Sequence, residues 1–503
     1  MTAARHDWRG GQRQRTFIAS VELLVGLWLP VIVATPPDPL MPIGHEGRVA
    51  PPPSPGGPDP TRICDVTKFG AVGDNATEDT AAITAAIAHC AGRGGGTVLL
   101  PAPGRYLSRP LTIGDGAHFR IEAGATLVAW GDLKTWPSRT LSPPYRGQLT
   151  EGLSFLVAAS PAGHCNASDP STFMSGVTID GGGTIDAQGW RWWSCVNLPG
   201  NATCYLRPRT LILYCINNLV VRDITIKDSP MFHIAAYGQN LLFENVRLRS
   251  PDDPRMGCGY GVAPNTDGFN VGGSDIRILN SYVRNGDDCM PSGGDTHDYL
   301  AENVTCECGA SPGIYMDEQY NVTFRNLVAN RTSHGANMKA VGAGGGTITD
   351  ILFDNLTIID LPPGGGALVI DAYGQWSAPA GNGNAVPLSE DTAVSAVRIP
   401  STHTRARAGK CPPGVSDCHS AANITYRGVT GSNIDALGYF MCREDFPCSG
   451  ISLVGINITG SAGKAPAPFQ CANVLGQPAA NASAKHCPFG KMKCNACFGD
   501  VVV

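Results

Sequence analysis

The stretch Asp275-Ile276-Arg277-Ile278-Leu279-Asn280-Ser281 decides the fold. Its apolar residues alternate with polar ones, which is typical of a β-strand with one buried face, and it carries an acidic or amide residue at its start and an Asn inside. The same phrase recurs along the chain, with starts roughly 20 to 35 residues apart. The other copies begin at Asn218, Asn240, Asp298, Asn321 and Asp350, and a degenerate copy begins at Asn423.

This period, with β-branched alternation and a stacking Asn, predicts an all-β chain folded as a right-handed parallel β-helix, a solenoid with one strand phrase per coil. The alternative is a β-sandwich of hairpins, but the Asn-Gly and Asp-Gly turns that hairpins need are scarce. A helical segment from Asp79 to Cys90 is a candidate N-terminal cap. The longest break in the pattern, at about 374–422, predicts an inserted loop that holds Cys411 and Cys418 and is closed by its own disulfide.

Composition supports a large, turn-rich β protein. The chain has 503 residues, 43% of them hydrophobic, with 62 glycines and 39 prolines. A formal net charge of −5 offers no basic surface for nucleic acid or for anionic membranes. The 18 cysteines favour disulfides in an oxidising compartment over a zinc module. Only Cys494-Asn495-Ala496-Cys497 has the paired spacing that is typical of zinc ligands.

The N-terminal residues predict a secreted protein. Four arginines between residues 5 and 15 precede an apolar run from Leu23 to Val33 that closes at Ala34, so 1–34 has the layout of a signal peptide, with an uncleaved signal anchor as the alternative. Residues 35–63 are proline-rich and predict a linker, which leaves 64–503 for the β-helix. Ten Asn-x-Ser/Thr sequons agree with the secretory route, although several fall within the repeated strands: Asn75, Asn166, Asn201, Asn303, Asn321, Asn330, Asn355, Asn423, Asn457 and Asn481.

Two acidic motifs are the candidate active site. Asn265-Thr266-Asp267-Gly268-Phe269-Asn270 and Gly286-Asp287-Asp288-Cys289 lie on either side of the strand phrase that begins at Asp275. If each coil stacks on the last, Asp267 meets Asp287 and Asp288, and paired carboxyl groups flanking a glycosidic bond are the usual apparatus for cleaving it. The alternative is that these residues only form turns, which Asp and Asn also favour.

Further motifs carry a family resemblance that covers about 64–500. Together with the two acidic motifs, in their order and spacing, they make the chain resemble glycoside hydrolase family 28, the polygalacturonases and their relatives. The additional motifs are Phe69–Asp74, Gly94–Pro101, Gly183–Gly189, Trp192-Trp193 and Ser229–Ile234.

The resemblance implies inverting hydrolysis of an α-linked galacturonic acid backbone, as in pectin. Asp287 would be the general acid, and Asp267 and Asp288 would activate the attacking water; adjacent like charges keep one carboxyl protonated, as an acid catalyst requires. It implies a pectic polysaccharide as partner, no cofactor, no metal and no nucleic acid, and we expect a monomer. The substrate-binding candidates are Asn265, Lys339, Tyr373, His233 and Asn337.

Two departures from the family pattern affect specificity. The family's Gly-His-Gly motif falls on Cys308–Ile314, where Pro312 takes the histidine's place. The family's Arg-Ile-Lys motif falls on Asn337-Met338-Lys339, and Asn cannot form the bidentate pair that Arg forms with a carboxylate. His334 and His297 are candidate substitutes for these lost partners.

Several alternatives therefore stay open. Rhamnogalacturonan or xylogalacturonan hydrolysis is one, a non-catalytic carbohydrate-binding solenoid is another, and a lyase, which would need calcium carboxylates and a basic residue, is a third. Trp190, Trp192 and Trp193 are expected to close the coil wall rather than to stack on sugar. The resemblance also implies that Cys289 pairs with Cys306 or Cys308, and Cys442 with Cys448.

Overall fold

The computed structural model describes residues 61–92, 95–145, 148–158, 169–197, 207–257, 259–340, 346–373, 418–475 and 486–487. The predicted leader at 1–34, nearly all of the predicted linker at 35–63 and most of the predicted insertion at about 374–422 lie outside these ranges. Within them, no helix is both long and apolar enough to cross a bilayer.

Strands dominate the described residues. The single α-helix of the described ranges, α1, is Thr80–Ala91. Short 3-10 turns cover Val66–Phe69, Leu133–Thr135, Pro170–Thr172, Gly189–Arg191, Trp193–Asn197, Pro254–Met256 and Ser461–Gly463. The strands of the first part are Ile63–Asp65 (β1), Asp74–Glu78 (β2), Gly96–Leu100 (β3), Arg105–Ser108 (β4), Leu111–Ile113 (β5), Ala117–Ile121 (β6), Thr126–Ala129 (β7), Ser138–Tyr145 (β8), Gln148–Gly152 (β9), Leu156–Ala158 (β10), Met174–Ser175 (β11), Thr178–Asp180 (β12) and Thr184–Asp186 (β13).

The longer strands follow in the central and C-terminal parts. Those of the central part are Leu211–Lys227 (β14), Ile234–Arg249 (β15), Phe269–Leu279 (β16), Tyr282–Arg284 (β17), Thr296–Glu302 (β18), Thr305–Glu307 (β19), Gly313–Tyr315 (β20), Gln319–Asn330 (β21), Ala336–Lys339 (β22), Thr347–Ile359 (β23) and Gly366–Asp371 (β24). The C-terminal strands are Ser420–Ser432 (β25), Ala436–Met441 (β26), Cys448–Val454 (β27), Asn457–Ile458 (β28), Gln470–Ala472 (β29), Val474–Leu475 (β30) and His486–Cys487 (β31).

Successive coils pair in parallel and in the register that the repeats predict. Leu219 pairs with Leu241, Leu241 with Ile276 and Ile276 with Tyr299, each being the residue after the start of a predicted copy. A second parallel sheet runs through β20, β22, β24, β26 and β29. Among the named strand pairs of the described residues, only β8 with β9 and β30 with β31 are antiparallel. The sandwich of hairpins is therefore wrong, and the chain is a parallel β-helix; its handedness stays a prediction here.

The Asn and Asp of each copy form the corners of the coil. Asn218 and Asp223 both have left-handed backbone angles, with φ of 63° and 51°, and the same pair of corners returns in the following copies. Asn and Asp tolerate this conformation better than other residues with a side chain. Their side chains also bond between coils, as when Asn240 Nδ2 donates to Asn218 Oδ1 at 2.7 Å and Asn245 Nδ2 to Asp223 Oδ1 at 2.7 Å. The polar residues of the repeat thus bend the chain and join the coils.

Inward-facing side chains stack in files through the core. One file is aromatic: Phe324 lies on Phe353 with ring centroids 4.7 Å apart, Phe353 on Tyr426 at 5.1 Å, and Phe440 on Phe469 at 5.0 Å. All five of these rings are buried. Each coil therefore buries its apolar residues against the coils above and below it.

Helix α1 packs at the N-terminal part of the solenoid. It buries Ile83, Ala86, Ile87 and Cys90, it contacts β1, β3 and β5, and a disulfide joins Cys90 to Cys64. That the helix closes the end of the coil stack stays a prediction.

Disulfides staple neighbouring parts of the coil. Cys289 is bonded to Cys306 and Cys442 to Cys448, as the resemblance implied. Cys308, the alternative partner for Cys289, is also disulfide-bonded. None of the cysteines in the described ranges is free.

Phe353→Ala should lower the free energy of unfolding by about 3–5 kcal/mol, because it removes the middle ring of the aromatic file and leaves a cavity between two coils. Urea unfolding followed by circular dichroism measures the change. Val454→Ala, at a residue that is half exposed on β27, is the matched control and should change the free energy by about 0.5 kcal/mol or less. Equal losses in the two variants would contradict the stacked core.

Candidate active site

The two acidic motifs lie on adjacent rungs of the solenoid. The amide of Gly268 donates to the carbonyl of Asp288 at 2.9 Å, and the amide of Phe269 to that of Cys289 at 3.0 Å. This register sets Asp267 directly beside Asp288. The predicted meeting of the two motifs is confirmed, and it follows from the coil period alone.

A buried amide fixes the two motifs to each other. Asn285 Nδ2 donates to the carbonyl of Thr266 at 3.0 Å and to that of Asp288 at 2.8 Å. The hydroxyl of Thr266 accepts from the amide of Gly286 at 2.9 Å. Both Asn285 and Thr266 are fully buried, so the relative position of the two turns is set by hydrogen bonds that water does not reach.

Lys339 places an ammonium group among the carboxylates. Its Nζ lies 2.7 Å from Asp288 Oδ2, and only 14% of the Lys339 side chain is exposed. Burial favours the neutral amine, but the charges of Asp288, Asp287 and Asp267 outweigh it and raise the pKa of Lys339. The lysine therefore stays charged and neutralises part of the acidic cluster. It is paired to Asp288 before any substrate arrives.

Two further side chains hold the deeper carboxylates. The hydroxyl of Tyr315 donates to Asp288 Oδ2 at 3.2 Å, and its ring lies under Lys339, with Nζ 5.5 Å from the ring centroid. Asn270 Nδ2 donates to Asp267 Oδ2 at 3.3 Å. Asp267 and Asp288 are both buried, so these contacts replace water that the carboxylates have lost.

Asp287 differs from its neighbours because it is partly exposed. Its Oδ1 accepts from the amide of Asp288 at 2.9 Å, and its Oδ2 accepts from Asn265 Nδ2 at 3.3 Å. Asn265 is in turn anchored by Arg207, whose Nη2 donates to Asn265 Oδ1 at 2.6 Å. The predicted residue Asn265 thus lies within the cluster and orients Asp287, at a left-handed corner with φ of 50°.

His233 needs correction as a substrate-binding candidate. It is 0% exposed, its Nδ1 donates to the carbonyls of Thr266 at 3.1 Å and Asp267 at 3.0 Å, and its Nε2 accepts from the hydroxyl of Ser250 at 2.9 Å. Burial lowers the pKa of His233 to about 4, so the ring is neutral. A ring with no exposed surface does not contact a substrate. Its position supports the Asp267 turn from the rung below.

Of the two histidines expected to compensate for the weakened grip on a uronic acid, His334 is the one near the cluster. Burial, followed by the charge of Lys339, lowers the pKa of His334 to about 4, and the charge of Asp288 opposes this shift. Its Nδ1 accepts from the amide of Gly366 at 3.1 Å, which assigns the proton to Nε2. His297 lies on β18 instead, where its ring stacks on Tyr320 at 4.7 Å and its Nδ1 contacts Asp298 Oδ2 at 2.9 Å.

Asn337 and Tyr373 complete the predicted set. Asn337 precedes Lys339 by two residues on β22, so both side chains point to the same face of the sheet, but Asn337 is buried and its Oδ1 has no hydrogen-bond partner among the described residues. Tyr373 lies one rung above, just beyond Asp371, which pairs with Lys339. Its ring is exposed, and the guanidinium of Arg443 lies 5.9 Å from the ring centroid.

The sequence analysis assigned no role to Arg207, Asn285, Tyr315 and Asn270. Asn270 ends the first acidic motif and Asn285 directly precedes the second, so their polarity beside the aspartates was a usable signal. Arg207 and Tyr315 are remote in sequence and carried no signal of their own. No group of three His, Cys, Asp or Glu side chains in the ranges described has the arrangement of a metal site.

The chain is similar in sequence to known glycoside hydrolases. Residues 169–408 match the model of the family described as glycosyl hydrolases family 28. An exopolygalacturonase of Zea mays is 25% identical over 457 residues, which is 86% of this chain and 90% of the maize protein. A polygalacturonase of Persea americana is 24% identical over 435 residues, or 84% of this chain and 79% of the relative.

Solved structures share the fold. The crystal structure of an exopolygalacturonase from Thermotoga maritima superposes with a TM-score of 0.59 at 15% identity, covering 83% of this chain and 92% of that one. At such low identity the likeness supports the β-helix and says nothing of substrate.

Gly309→Ala should disturb the site without adding or removing a polar group. A Cβ at Gly309 would lie 2.0 Å from Asn285 Oδ1 and 2.2 Å from the carbonyl of Asp287, so the Asp287 turn must shift. Kinetic assays on a pectic substrate should show a fall in kcat of about 100-fold, since displacements of about 1 Å have that effect. Gly114→Ala is the control, because nothing lies within 4 Å of its Cβ position. Comparable activity of the two variants would show that the position of the Asp287 turn does not control catalysis.

Stability should fall as the pH drops from about 6.5 to about 4. His233 and His334 have ordinary pKa values in the unfolded chain but values of about 4 when folded, so in this interval only the unfolded chain takes up the protons. Each histidine can cost about 3 kcal/mol across the interval. Asp228 opposes them, because burial raises its pKa to about 6.

The measurement is the midpoint of thermal unfolding at pH 4.5 and 6.5. His334→Gln should show a smaller difference between the two pH values than the wild type. An identical difference would mean that the buried ring does not govern this part of the pH dependence.

Proposed function

Because the chain belongs to glycosyl hydrolases family 28, we propose that it hydrolyses α-linked galacturonic acid backbones of pectin with inversion at the anomeric carbon. The observation that carries the proposal is the convergence of Asp267, Asp287 and Asp288 on adjacent rungs around the ammonium group of Lys339. A structural turn has no use for three carboxylates and a buried lysine. A glycosidase uses paired carboxyl groups as acid and base.

Asp287 is the proposed general acid. It is the partly exposed member of the trio and thus the one that a glycosidic oxygen can approach from the open side. Its proton passes to the leaving oxygen as the bond from that oxygen to the anomeric carbon breaks. Asn265 and the Asp288 amide hold the carboxyl in place through the step.

Asp267 and Asp288 are the proposed base pair. They lie deeper than Asp287, and an attacking water placed between them and the opposite face of the sugar would give up its proton to one of them. Lys339 and Tyr315 orient Asp288, and Asn270 orients Asp267. After this step Asp287 is ionised and the base carboxyl carries the proton taken from water, so the net charge of the cluster is unchanged. A further proton transfer returns the proton to Asp287 before the next turnover.

A second candidate is hydrolysis of a backbone that contains neutral sugars or neutral branches, such as rhamnogalacturonan or xylogalacturonan. The observation that favours it is the pairing of Lys339 to Asp288 together with an uncharged Asn337 beside it, since this leaves less positive charge at that position for a second uronate. Parallel assays on the three backbones separate the candidates. Tyr373 is the proposed stacking residue in either case.

Further parts of the proposal concern the whole chain. Right-handed winding is supported by the strong preference of parallel crossover connections for that hand. A capping role for α1 is supported by its apolar contacts with the first strands. Secretion is supported by the disulfides and the N-terminal apolar run, and we expect a monomer that binds no nucleic acid.

Asp287→Asn should lower kcat on polygalacturonate by about 10² to 10⁴-fold, because the amide has no proton to donate to the leaving oxygen. Release of reducing ends measures the loss, and the absence of a new absorbing double bond excludes a lyase. Proton NMR of the first product should show the inverted anomer.

Asp275→Asn is the matched control. It makes the same chemical change at an exposed corner of the solenoid, and it should leave turnover near the wild-type value. Full activity of Asp287→Asn would remove the acid from the mechanism. Binding of polygalacturonate without any cleavage by the wild type would instead identify a binding protein.

A further inference from the structure

Trp190 is exposed where a wall residue would be buried. Its exposed fraction is 51%, whereas Trp192 and Trp193, two and three residues later, are buried. The expectation that all three tryptophans close the coil wall is thus met by two of them. An exposed indole in a short turn is accessible to a ligand.

The turn that carries Trp190 lies two rungs below Asp267 and three rungs below Asp288. The amide of Gly189 donates to the carbonyl of Asp228 at 2.5 Å, and Trp193 Nε1 donates to that of Ser229 at 2.9 Å, so this turn stacks under the rung that leads to His233. That rung stacks in turn under Asp267, since the amide of His233 donates to the Asp267 carbonyl at 2.8 Å. Two rungs correspond to about 10 Å along the solenoid axis.

Arg191 adds a positive charge to the exposed ring. Its guanidinium carbon lies 4.2 Å from the centroid of the Trp190 ring, and its Nε donates to Gln188 Oε1 at 3.0 Å. An aromatic face with an adjacent guanidinium suits a uronic acid unit. The guanidinium covers one face of the indole. The apolar face of such a sugar would stack on the opposite face or edge, with its carboxylate directed to the cation.

The turn is rigid. Gln188 has a left-handed backbone with φ of 51°, and its Nε2 donates to the carbonyl of Ala129 at 2.5 Å on the rung below. Gly189 has no room for a side chain, because a Cβ there would lie 2.4 Å from the Ser229 backbone. The indole and the guanidinium are therefore held in place before any ligand binds, which reduces the entropy lost on binding.

We propose that Trp190 and Arg191 form a distal binding position for a uronic acid unit of the polysaccharide. This rests on the proposed function, since the occupant is the same polysaccharide chain that is cleaved at the acidic cluster. The position acts on long substrates, because a short fragment bound at the carboxylates does not reach it.

Isothermal titration of galacturonate oligomers into the Asp287→Asn protein, with and without Trp190→Ala, tests the position directly. Trp190→Ala should weaken the binding of long oligomers about tenfold and that of the dimer much less. Trp190→Tyr should restore most of the lost affinity. Arg191→Gln should weaken the binding of long oligomers and reduce the salt dependence of their affinity. Val454→Ala, which also removes a half-exposed apolar side chain, is the control.

Equal weakening for the dimer and the long oligomers, or a fall in the unfolding midpoint that accounts for the loss, would assign Trp190 a purely structural role and overturn the proposal. So would unchanged binding of long oligomers. Failure of the proposed function has a different signature, since the wild type would then cleave no pectic backbone, while the titrations with long oligomers would still decide whether Trp190 binds them.

Discussion

In-register parallel stacking of the coils is the constraint on which everything else depends. It converts a distance of one repeat in sequence into about 4.8 Å in space, so residues far apart in the chain become immediate neighbours. The stacking is possible because Asn and Asp accept left-handed corners and then bond to their counterparts on the next coil, as Asn240 does to Asn218. The corners of the coil, the stacked files of core side chains and the position of the acidic cluster thus all follow from the repeat period.

The same stacking creates an electrostatic difficulty, which the site resolves locally. Adjacent rungs bring Asp267 and Asp288 together in a region that excludes water, and buried like charges repel strongly. The ammonium of Lys339, which lies two rungs above Asp288 in the solenoid, offsets part of that repulsion. Tyr315 and Asn270 stabilise the carboxylates further by donating hydrogen bonds to them. Because these groups are fixed by the rungs, the cluster needs little reorganisation during reaction.

The sequence alone predicted the features of the structure that follow from the repeat period of the coils. The repeat starting at Asp275 predicted the register, and the register brought Asp267 to Asp288. It was insufficient where a contact crosses the solenoid by a path that no period encodes. Arg207 reaches Asn265 from a loop. His233 is buried against Ser250, although its motif suggested a place in the cleft. The different exposure of the three tryptophans was not predicted, because the sequence does not show which of three neighbouring rings faces the solvent.

The uneven burial of the trio is what separates acid from base. One lysine cannot balance three ionised carboxylates, so the cluster gains by retaining a proton, and that proton belongs to the coupled group and not to a single side chain. Asp288 is the member in direct contact with the ammonium of Lys339, with Nζ 2.7 Å from Oδ2. Asp267 lies in the buried floor, whereas Asp287 is partly exposed and accepts hydrogen bonds from Asn265 and a backbone amide. In the proposed mechanism this uneven burial sets the general acid at the exposed carboxyl, where a leaving oxygen can reach it, and the base at the two buried carboxylates.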